Sequence, residues 1–322
     1  MNVAVIGLGL IGGSLLRALA ARGHQVTGYD LSEATRQAAA EAAVQAAVAE
    51  GSWHIAADIP AAIADAEIVV LAVPLPALPA VTAALAGFSG LITDVTSVKG
   101  PVRDLLKGRR YVGGHPMAGK ESSSFHASDP GLFDGCAWVL CLEPGETDLD
   151  DWLRLAALYT SIGARVVPAT AEEHDEAVAR ISHVPHLLAS ALSSLLDGNP
   201  LAGALAAGSF RDGTRVAATR AELIAAMCGG NAAAVRRVLA EVLDHLAAYD
   251  AELASPDPVA ALTSSLQRPG ELRRAWPVVD GVTVRVDREA DALLSLGRAG
   301  GWLTDIGPDI IGQRPESGRN GS

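Results

Sequence analysis

The sequence has few basic residues and few aromatic ones. Its 322 residues include 25 Lys and Arg against 37 Asp and Glu, which gives a net charge of −12. This excess of acid argues against nucleic acid or an anionic membrane surface as a partner. Aromatic residues make up 4% of the chain although 49% of it is hydrophobic, much of that alanine. We therefore expect many closely packed Ala/Leu helices.

Cysteine is also scarce. Cys136, Cys141 and Cys228 are odd in number and show no metal-ligand spacing, which favours reduced thiols in a cytoplasmic protein. The N-terminus has no basic stretch ahead of its first apolar residues, so the sequence predicts no signal peptide. We expect a cytoplasmic protein.

One uncharged stretch, residues 68–88, is long enough to cross a bilayer. Pro74, Pro76 and Pro79 interrupt it, however. We interpret 67–73 as a buried parallel strand, the prolines as the turn out of it, and the remainder as a helix. No membrane partner is predicted.

A dinucleotide-binding fingerprint opens the chain. The β-branched run at 3–6 leads directly into Gly-Leu-Gly-Leu-Ile-Gly at 7–12, which is typical of a βαβ unit that holds a pyrophosphate at a helix N-terminus. Asp30 ends the next strand, 25–29, where a ribose-binding carboxylate belongs. Asp30 would repel a 2′-phosphate, so NAD is favoured over NADP, although the nearby Arg36 keeps NADP open. The predicted cofactor contacts are Gly7, Gly9, Leu10, Ile11, Gly12, Asp30, Val73, Pro74 and Ser97.

Strand-like runs alternate with helical patterns through about residue 168. This alternation predicts an α/β fold with a Rossmann-type, doubly wound, mostly parallel sheet. From Ala171 to about Ala254 the pattern is helical only, with apolar faces broad enough to favour burial against a second subunit. We therefore expect an all-helical dimerisation domain and a homodimer. The runs lie at 3–6, 25–29, 67–73, 90–94, 110–112, 137–142 and 164–167.

These patterns predict four segments. Residues 1–168 form the dinucleotide-binding domain and 169–255 the helical substrate and dimerisation domain. Residues 256–312 form a C-terminal extension of unclear structure, in which 281–286 could be a strand and 288–298 a helix. The polar, Gly-rich residues 313–322 are predicted to be a disordered tail.

Four clusters of polar residues carry candidate chemistry. The first follows strand 90–94, at the carboxyl end where ligands bind to open α/β sheets. The second is the loop Gly-Gly-His-Pro-Met-Ala-Gly-Lys-Glu at 113–121. The third lies inside a long helix, at spacings that allow its residues to share one face. The fourth, 208–215, supplies guanidinium groups. The clusters contain Ser97 and Lys99; His115 and Glu121; Ser182, His183 and His186; and Arg211 and Arg215.

Each cluster alone also has a structural interpretation. A single histidine is usually a surface or hydrogen-bonded core residue, Ser97 could cap a helix, and Arg211 could pair with Asp212 or Glu222. His183 and His186 have no carboxylate nearby to complete a ligand set, so we predict no metal site.

Together these motifs resemble the prephenate and arogenate dehydrogenases of tyrosine biosynthesis, prephenate dehydrogenases above all. The resemblance covers residues 1 to about 250. It implies an NAD-binding domain joined to a helical dimerisation domain, with the active site between them. It rests on the ordered segments 5–14, 94–99, 113–121, 182–186 and 210–215.

The resemblance also implies residue roles. His115 matches the histidine that accepts the proton of the substrate's C4 hydroxyl, and Ser97 matches a serine that bonds the hydroxyl or the imidazole. Arg215 matches an arginine that holds a substrate carboxylate, with Arg211 as the other candidate. Glu121 matches an acidic residue of the pocket's ionic network. Substrate and nicotinamide contacts correspond to Ser182, His183 and His186.

The reaction implied is the NAD-dependent oxidative decarboxylation of prephenate to 4-hydroxyphenylpyruvate. Arogenate, which would give tyrosine directly, remains an alternative substrate. Another alternative is a 6-phosphogluconate-dehydrogenase-like enzyme acting on a β-hydroxy acid or an imine. Such enzymes place a lysine on the first long helix of the second domain, and this chain has no lysine after Lys120. A non-catalytic NAD sensor is the third alternative.

Overall fold

The computed structural model describes residues 1–46, 52–119, 124–277 and 281–316, in two compact units. Of these residues, the first unit contains those between 1 and 175 and between 283 and 314, and the second contains those between 176 and 282 together with 315 and 316. The division follows Asp175, inside a helix, whereas the sequence predicted a boundary after residue 168. A helix that continues across a boundary gives no local signal of it.

The first unit begins with a six-stranded parallel sheet of order β3-β2-β1-β4-β5-β6. The order reverses between β1 and β4, and ligands bind at the carboxyl ends of the strands beside such a switch. The central β4 is fully buried, as its unbroken apolar sequence predicts. The strands are β1 (Asn2–Ile6), β2 (Gln25–Tyr29), β3 (Trp53–Ile55), β4 (Ile68–Leu71), β5 (Leu91–Asp94) and β6 (Tyr111–Val112).

Helices connect these strands and pack on the sheet. Leu15, Leu16 and Leu19 of the first helix are completely buried at helical spacing. The Asp58 side chain caps the third helix by accepting a hydrogen bond from the Ala61 backbone N–H. The helices are α1 (Leu10–Ala21), α2 (Glu33–Ala46), α3 (Ile59–Ile63), α4 (Leu78–Ala84) and α5 (Gly100–Leu105). The parallel α/β arrangement predicted from the sequence is confirmed.

A second six-stranded sheet, of order β10-β12-β11-β9-β8-β7, completes the first unit. The strands predicted at 137–142 and 164–167 belong to it, so their assignment to the first sheet was wrong. Strands β8 and β9 are parallel, while β7 and β11 run antiparallel to them. The elements are β7 (Gly114–Pro116), β8 (Ala137–Cys141), α6 (Leu149–Ser161), β9 (Arg165–Ala169), α7 (Ala171–Val178), β10 (Val282–Val286), β11 (Trp302–Ile306) and β12 (Ile310–Arg314).

The second unit is helical, as predicted. A single π-helical turn, Ala179–His183, follows α7 and leads into the next α-helix. Asp257 caps the last helix of this unit through the Ala260 backbone N–H. The α-helices are α8 (Val184–Ser194), α9 (Pro200–Leu205), α10 (Gly208–Thr214), α11 (Ala221–Gly230), α12 (Ala232–Leu253) and α13 (Pro258–Ala275).

The C-terminal extension is more ordered than the sequence indicated. After α13 the chain returns to the first unit as β10, α14 (Ala290–Arg298), β11 and β12. The strand and helix predicted at 281–286 and 288–298 are both present. Gln313 and Arg314, predicted to begin a disordered tail, instead end β12, because its backbone pairs with β11.

No single helix in the described ranges is long and apolar enough to cross a membrane; only α11 and α12 together reach that length and composition, and they are bent by 95°. The uncharged stretch 68–88 forms β4, a 3₁₀ turn at Leu75–Ala77 and α4. Its interpretation as strand, turn and helix is confirmed.

Candidate active site

The loop between β1 and α1 has the geometry of a nucleotide cradle. Gly7 has a φ of 100°, and a Cβ there would lie 2.4 Å from the carbonyl oxygen of Ala72. A Cβ on Gly12 would lie 1.9 Å from the carbonyl oxygen of Gly7. Only glycine fits at these two positions. The loop therefore keeps its backbone close to the sheet and ahead of the N-terminus of α1, which suits a pyrophosphate.

The remaining predicted cofactor contacts surround this loop. Leu10 and Ile11 form the first turn of α1, and Val73 and Pro74 follow β4. The Asp30 carboxylate accepts hydrogen bonds from the backbone N–H groups of Leu8, at 2.7 Å, and Ser32, at 2.9 Å. These bonds hold it at the end of β2, beside the glycine loop.

Adding one methyl group at Gly12 tests the cradle. Because the new Cβ would overlap the Gly7 carbonyl, Gly12→Ala should push α1 away from β1 and weaken NAD⁺ binding more than about tenfold, or about 1.4 kcal/mol. Titration calorimetry measures the Kd. Gly87→Ala is the matched control, since no described atom lies within 4 Å of where its Cβ would be. Equal Kd values for the two variants would contradict the cradle.

His115 lies on a strand, not in the loop that the sequence predicted. It is the middle residue of β7, opposite Val139 of β8, and it is half-buried. Gly114, just before it, donates its backbone N–H to Asp94 at the end of β5. The His115 strand and the loop that carries Ser97 are thereby joined at the carboxyl end of the first sheet. Ser97 is half-buried there.

His115 is the first member of a chain of three side chains that the sequence did not predict. Its Nδ1 lies 2.9 Å from Nε2 of His174, and Nδ1 of His174 lies 2.8 Å from Oδ1 of Asp175. His174 is 2% exposed. The Asp175 carboxylate also accepts the backbone N–H groups of Lys99 and Gly100, both at 2.8 Å. The carboxylate is fixed at the start of α5.

This chain sets the tautomers of both imidazoles. The Asp175 carboxylate can only accept, so His174 carries its proton on Nδ1 and presents the Nε2 lone pair to His115. His115 then carries its proton on Nδ1, and Nε2 is its basic nitrogen. A proton taken up at Nε2 would create an imidazolium whose Nδ1–H points along the chain toward Asp175. The arrangement is that of a general base oriented by a second histidine and a carboxylate.

Burial lowers the pKa of His174 below its ordinary value, since the opposing effect of Asp175 is smaller. Burial alone would raise the pKa of Asp175, but the bonds from His174 and from the Gly100 and Lys99 N–H groups lower it overall. His174 is therefore neutral near pH 7, and Asp175 is ionised.

The lowered pKa of His174 makes folding stability depend on pH. An unfolded chain binds a proton at this histidine below about pH 6.5, whereas the folded protein does not until its lower pKa is reached. The free energy of unfolding should therefore fall with acidification below about pH 6.5, by at most about 1.4 kcal/mol per pH unit for this group. His174→Asn should flatten that slope in urea unfolding.

Asp175 and His24 also affect the pH dependence of the free energy of unfolding. Asp175 contributes in a separate window, below about pH 3.8, since its pKa is lowered from that value. His24, whose pKa burial lowers, contributes in the same direction as His174 and stays in both proteins. An identical slope for the wild type and the variant would rule out an uncharged, buried His174.

In the second unit the π turn separates residues that a regular helix would place together. His183 is completely buried, and its Nδ1 lies 3.2 Å from the amide nitrogen of Asn231. Ser182 and His186 are half-buried, and Nδ1 of His186 bonds the Ser182 carbonyl at 2.8 Å. The prediction that all three share one face was therefore wrong for His183. Single π turns often mark functional sites.

The two arginines lie on consecutive short helices. Arg211, in α10, lies 3.7 Å from Asp212, and both side chains are about 80% exposed. Arg215 begins the 3₁₀ segment Arg215–Ala218 and is exposed. The predicted pairing of Arg211 with Asp212 is present, but an exposed pair of this kind contributes little. Glu121 lies outside the described residues.

His174 and Asp175 are the functional candidates that the sequence analysis missed. A weak signal was available, because an adjacent His and Asp directly follow β9 in the acidic run Glu-Glu-His-Asp-Glu. A polar pair directly after a strand is a candidate for a binding or catalytic site, as Ser97 and Lys99 are after β5.

Comparisons with known proteins agree with this geometry. Residues 15–168 match the family model "prephenate dehydrogenase, nucleotide-binding domain" and residues 170–266 match "prephenate dehydrogenase, dimerization domain". The chain is 34% identical to a cyclohexadienyl dehydrogenase of Zymomonas mobilis, over 80% of this chain and 89% of that protein. It is 35% identical to a prephenate dehydrogenase of Bacillus subtilis over 68% of its own length, and spans 61% of that protein.

A solved structure shares the fold. Prephenate dehydrogenase from Aquifex aeolicus, in complex with hydroxyphenyl propionate and NAD⁺, superposes with a TM-score of 0.69 at 25% identity, over 84% of this chain and 98% of that one. The family assignment rests on two findings. The two family models together match most of the chain, and a relative of more than 30% identity is matched along most of its length. This chain belongs to the prephenate dehydrogenase family.

Proposed function

We propose that this protein oxidises and decarboxylates prephenate with NAD⁺, using His115 as the general base. The observation that carries the proposal is the chain from His115 through His174 to Asp175, which makes Nε2 the basic nitrogen of a half-buried imidazole. Abstraction of the C4 hydroxyl proton requires such a base, and a positioned base contributes about 10²- to 10⁴-fold to a rate.

The residues of the first unit fit a bound NAD⁺. Gly7 and Gly12 leave room for the pyrophosphate, and the Asp30 carboxylate suits the ribose hydroxyls. NAD⁺ supplies the acceptor for the hydride that leaves ring C4. The Arg36 guanidinium donates to the carbonyl oxygens of Asp30, at 2.7 Å, and Leu31, at 3.1 Å. Arg36 is thus engaged away from the Asp30 carboxylate, which favours NAD over NADP.

The substrate contacts are carried over from the family motifs. Ser97 bonds the C4 hydroxyl or the imidazole, Arg215 holds a substrate carboxylate, and Ser182 and His186 line the pocket. His183 takes a different role from the one the sequence suggested: because it is buried against Asn231, it supports Ser182 and His186 from inside the helical unit. The resemblance alone supports Glu121 as an acidic member of the pocket's ionic network.

A second copy of the chain is the partner proposed for the helical unit. Residues 170–266 match a dimerization domain, and several large apolar side chains of this unit are exposed in the single chain. Covering them in a homodimer would remove apolar surface from water. These side chains include Ile181, Leu192, Leu195, Leu243, Leu246 and Leu253.

Arogenate is the second candidate substrate, because the motifs of this chain resemble those of arogenate dehydrogenases as well as prephenate dehydrogenases. Purified protein is mixed with prephenate or arogenate and with NAD⁺ or NADP⁺, and NADH or NADPH formation is followed by absorbance. We expect the highest kcat/KM with prephenate and NAD⁺. A higher value with arogenate would reassign the substrate. Turnover of a β-hydroxy acid, with neither cyclohexadienyl substrate oxidised, would refute the proposal.

A further inference from the structure

Lys99 is a buried cation in an otherwise acidic protein. Its side chain is 1% exposed, and the carboxylate of its partner Asp94 is fully buried as well. The ammonium donates to Asp94, to the Thr96 hydroxyl at 3.1 Å and to the Gly114 carbonyl at 2.7 Å. An ammonium has three N–H donors, so these acceptors account for all of them.

Gly114, the residue before His115, is held from both sides by this pair. Its N–H donates to Oδ1 of Asp94 at 3.2 Å, and its carbonyl accepts from Lys99. Tyr111 adds a hydrogen bond from its hydroxyl to the same Asp94 oxygen, at 2.7 Å. A Cβ on Gly114 would lie 2.7 Å from the Asp94 carbonyl oxygen, so β7 is pressed directly against the end of β5.

The backbone of Lys99 holds the opposite end of the histidine chain. Its N–H donates to Oδ1 of Asp175 at 2.8 Å, the oxygen that also bonds His174. One residue therefore contacts both the strand that carries His115 and the carboxylate that orients His174.

We propose that Lys99 is a positioning residue for the proton transfer: it fixes the distance and orientation between His115 and His174 by holding Gly114 through its ammonium and Asp175 through its backbone. This inference rests on the proposed function of His115 as base. A buried ion pair is weak evidence for stability, since well-packed apolar replacements are often neutral or stabilising. If the pair orients β7, this role explains why charged residues stand at these two buried positions.

The ammonium also acts on His174 through space. Burial is the main cause of the low pKa of His174, and the Lys99 charge lowers it further, whereas Asp175 and Asp94 raise it. The groups of the network around His174 are thus His115 on β7, Asp94 on β5, Lys99 before α5 and Asp175 on α7. Loss of Lys99 alone would leave two carboxylates near His174 and favour its protonation.

The test uses two variants. Lys99→Met removes the ammonium but leaves the Asp94 carboxylate buried without its cation. The double variant Asp94→Asn, Lys99→Met leaves no charge unpaired, and the asparagine oxygen can still accept from Gly114 and Tyr111. It loses the bonds from the ammonium to the Gly114 carbonyl and the Thr96 hydroxyl, and those that Oδ2 of Asp94 accepts from Thr96. Lys107→Met is the matched control, since Lys107 is an exposed lysine of the same region.

In the double variant we expect kcat to fall about 10- to 100-fold, the size of effect that misplacing a reacting group produces. KM should change by less than about twofold, because no substrate contact is altered, and the Kd for NAD⁺ should stay the same. In Lys99→Met the acid limb of the kcat profile should move to higher pH. Lys107→Met should match the wild type throughout.

A readout without substrate separates this inference from the proposed function. In ¹⁵N-histidine NMR spectra, His115 and His174 of the wild type should each appear as one tautomer protonated at Nδ1. The double variant should give mixed tautomers for His115, while Lys107→Met keeps the wild-type spectrum. Unchanged tautomers in a folded double variant would overturn the positioning role whatever the activity. If the wild type oxidises neither cyclohexadienyl substrate, the proposed function fails, but this comparison still decides the role of Lys99.

Discussion

His115→Asn should lower kcat by about 10²- to 10⁴-fold, the contribution expected of a positioned general base. Asparagine fills similar space and can still form a hydrogen bond, but it cannot take up a proton at neutral pH. KM should change little, because the imidazole acts on the hydroxyl proton in the transition state more than on the bound substrate. Steady-state kinetics with prephenate and saturating NAD⁺ measure both constants.

The pH profile gives a second measure of the same role. The wild-type rate should rise with pH along an acid limb, because only neutral His115 can accept the proton. His115→Asn should lose this limb. His54→Asn, at an exposed histidine of β3, is the matched control and should keep both the rate and the limb. An unchanged kcat in His115→Asn would remove the histidine from the role of base.

Local patterns in the sequence predicted the first sheet well, because each of its strands is flanked by its own helix or turn. The fingerprint at 7–12 and the buried strand β4 both carry strong signals. The edge strand β3 was missed because only three residues, Trp53–Ile55, pair with β2. A stretch this short shows no alternation that could be distinguished from a loop.

The second sheet could not be predicted, because its strands are brought together by contacts between distant parts of the chain. Leu303 of β11 lies opposite Val166 of β9, and β7 is the short, atypical strand Gly-His-Pro. Hydrophobic periodicity predicts that a segment is extended, but it does not say which strand will be its neighbour. Two consecutive strands, β6 and β7, therefore belong to different sheets with only Gly113 between them.

The same reasoning explains which parts of the candidate site were found. His115 and Ser97 stand in motifs that are recognisable in the sequence. The pairing of His115 with His174 depends instead on how β7 and α7 meet in space. The burial of Lys99 also ran against expectation, since lysine is almost never fully buried unless it is paired. Its partner Asp94, five residues earlier at the end of β5, identifies the pair only once both are known to face inward.

In the helical unit, a single π turn accounts for the difference between the predicted and the observed position of His183. Regular spacing places Ser182, His183 and His186 near one another on a helix surface. The π turn at Ala179–His183 adds a residue to that turn and directs His183 inward, where it meets Asn231 at the start of α12. Pro185 has no backbone N–H and so signals an irregular helix near this point, but it does not say which turn forms.

Arg215→Ala should raise KM for prephenate roughly 10- to 150-fold, because a charge-assisted bond to a carboxylate contributes about 1.5 to 3 kcal/mol. kcat should change less, since a carboxylate remote from the reacting carbon is bound equally in the ground and transition states. Arg215→Lys should recover only part of the loss, because an ammonium cannot form two parallel bonds to a carboxylate. Initial rates over a range of prephenate concentrations measure these constants.

Arg211→Ala is the control that distinguishes the two guanidinium groups. Arg211 already has the Asp212 carboxylate 3.7 Å away, which weakens its attraction for a second anion, so its loss should leave KM within about twofold of the wild type. A raised KM for Arg211→Ala with a normal one for Arg215→Ala would transfer the carboxylate contact to Arg211. Because the protein carries a net charge of −12, an anionic substrate needs a local cation to bind. Normal KM values in both variants would therefore mean that another cation holds the carboxylate.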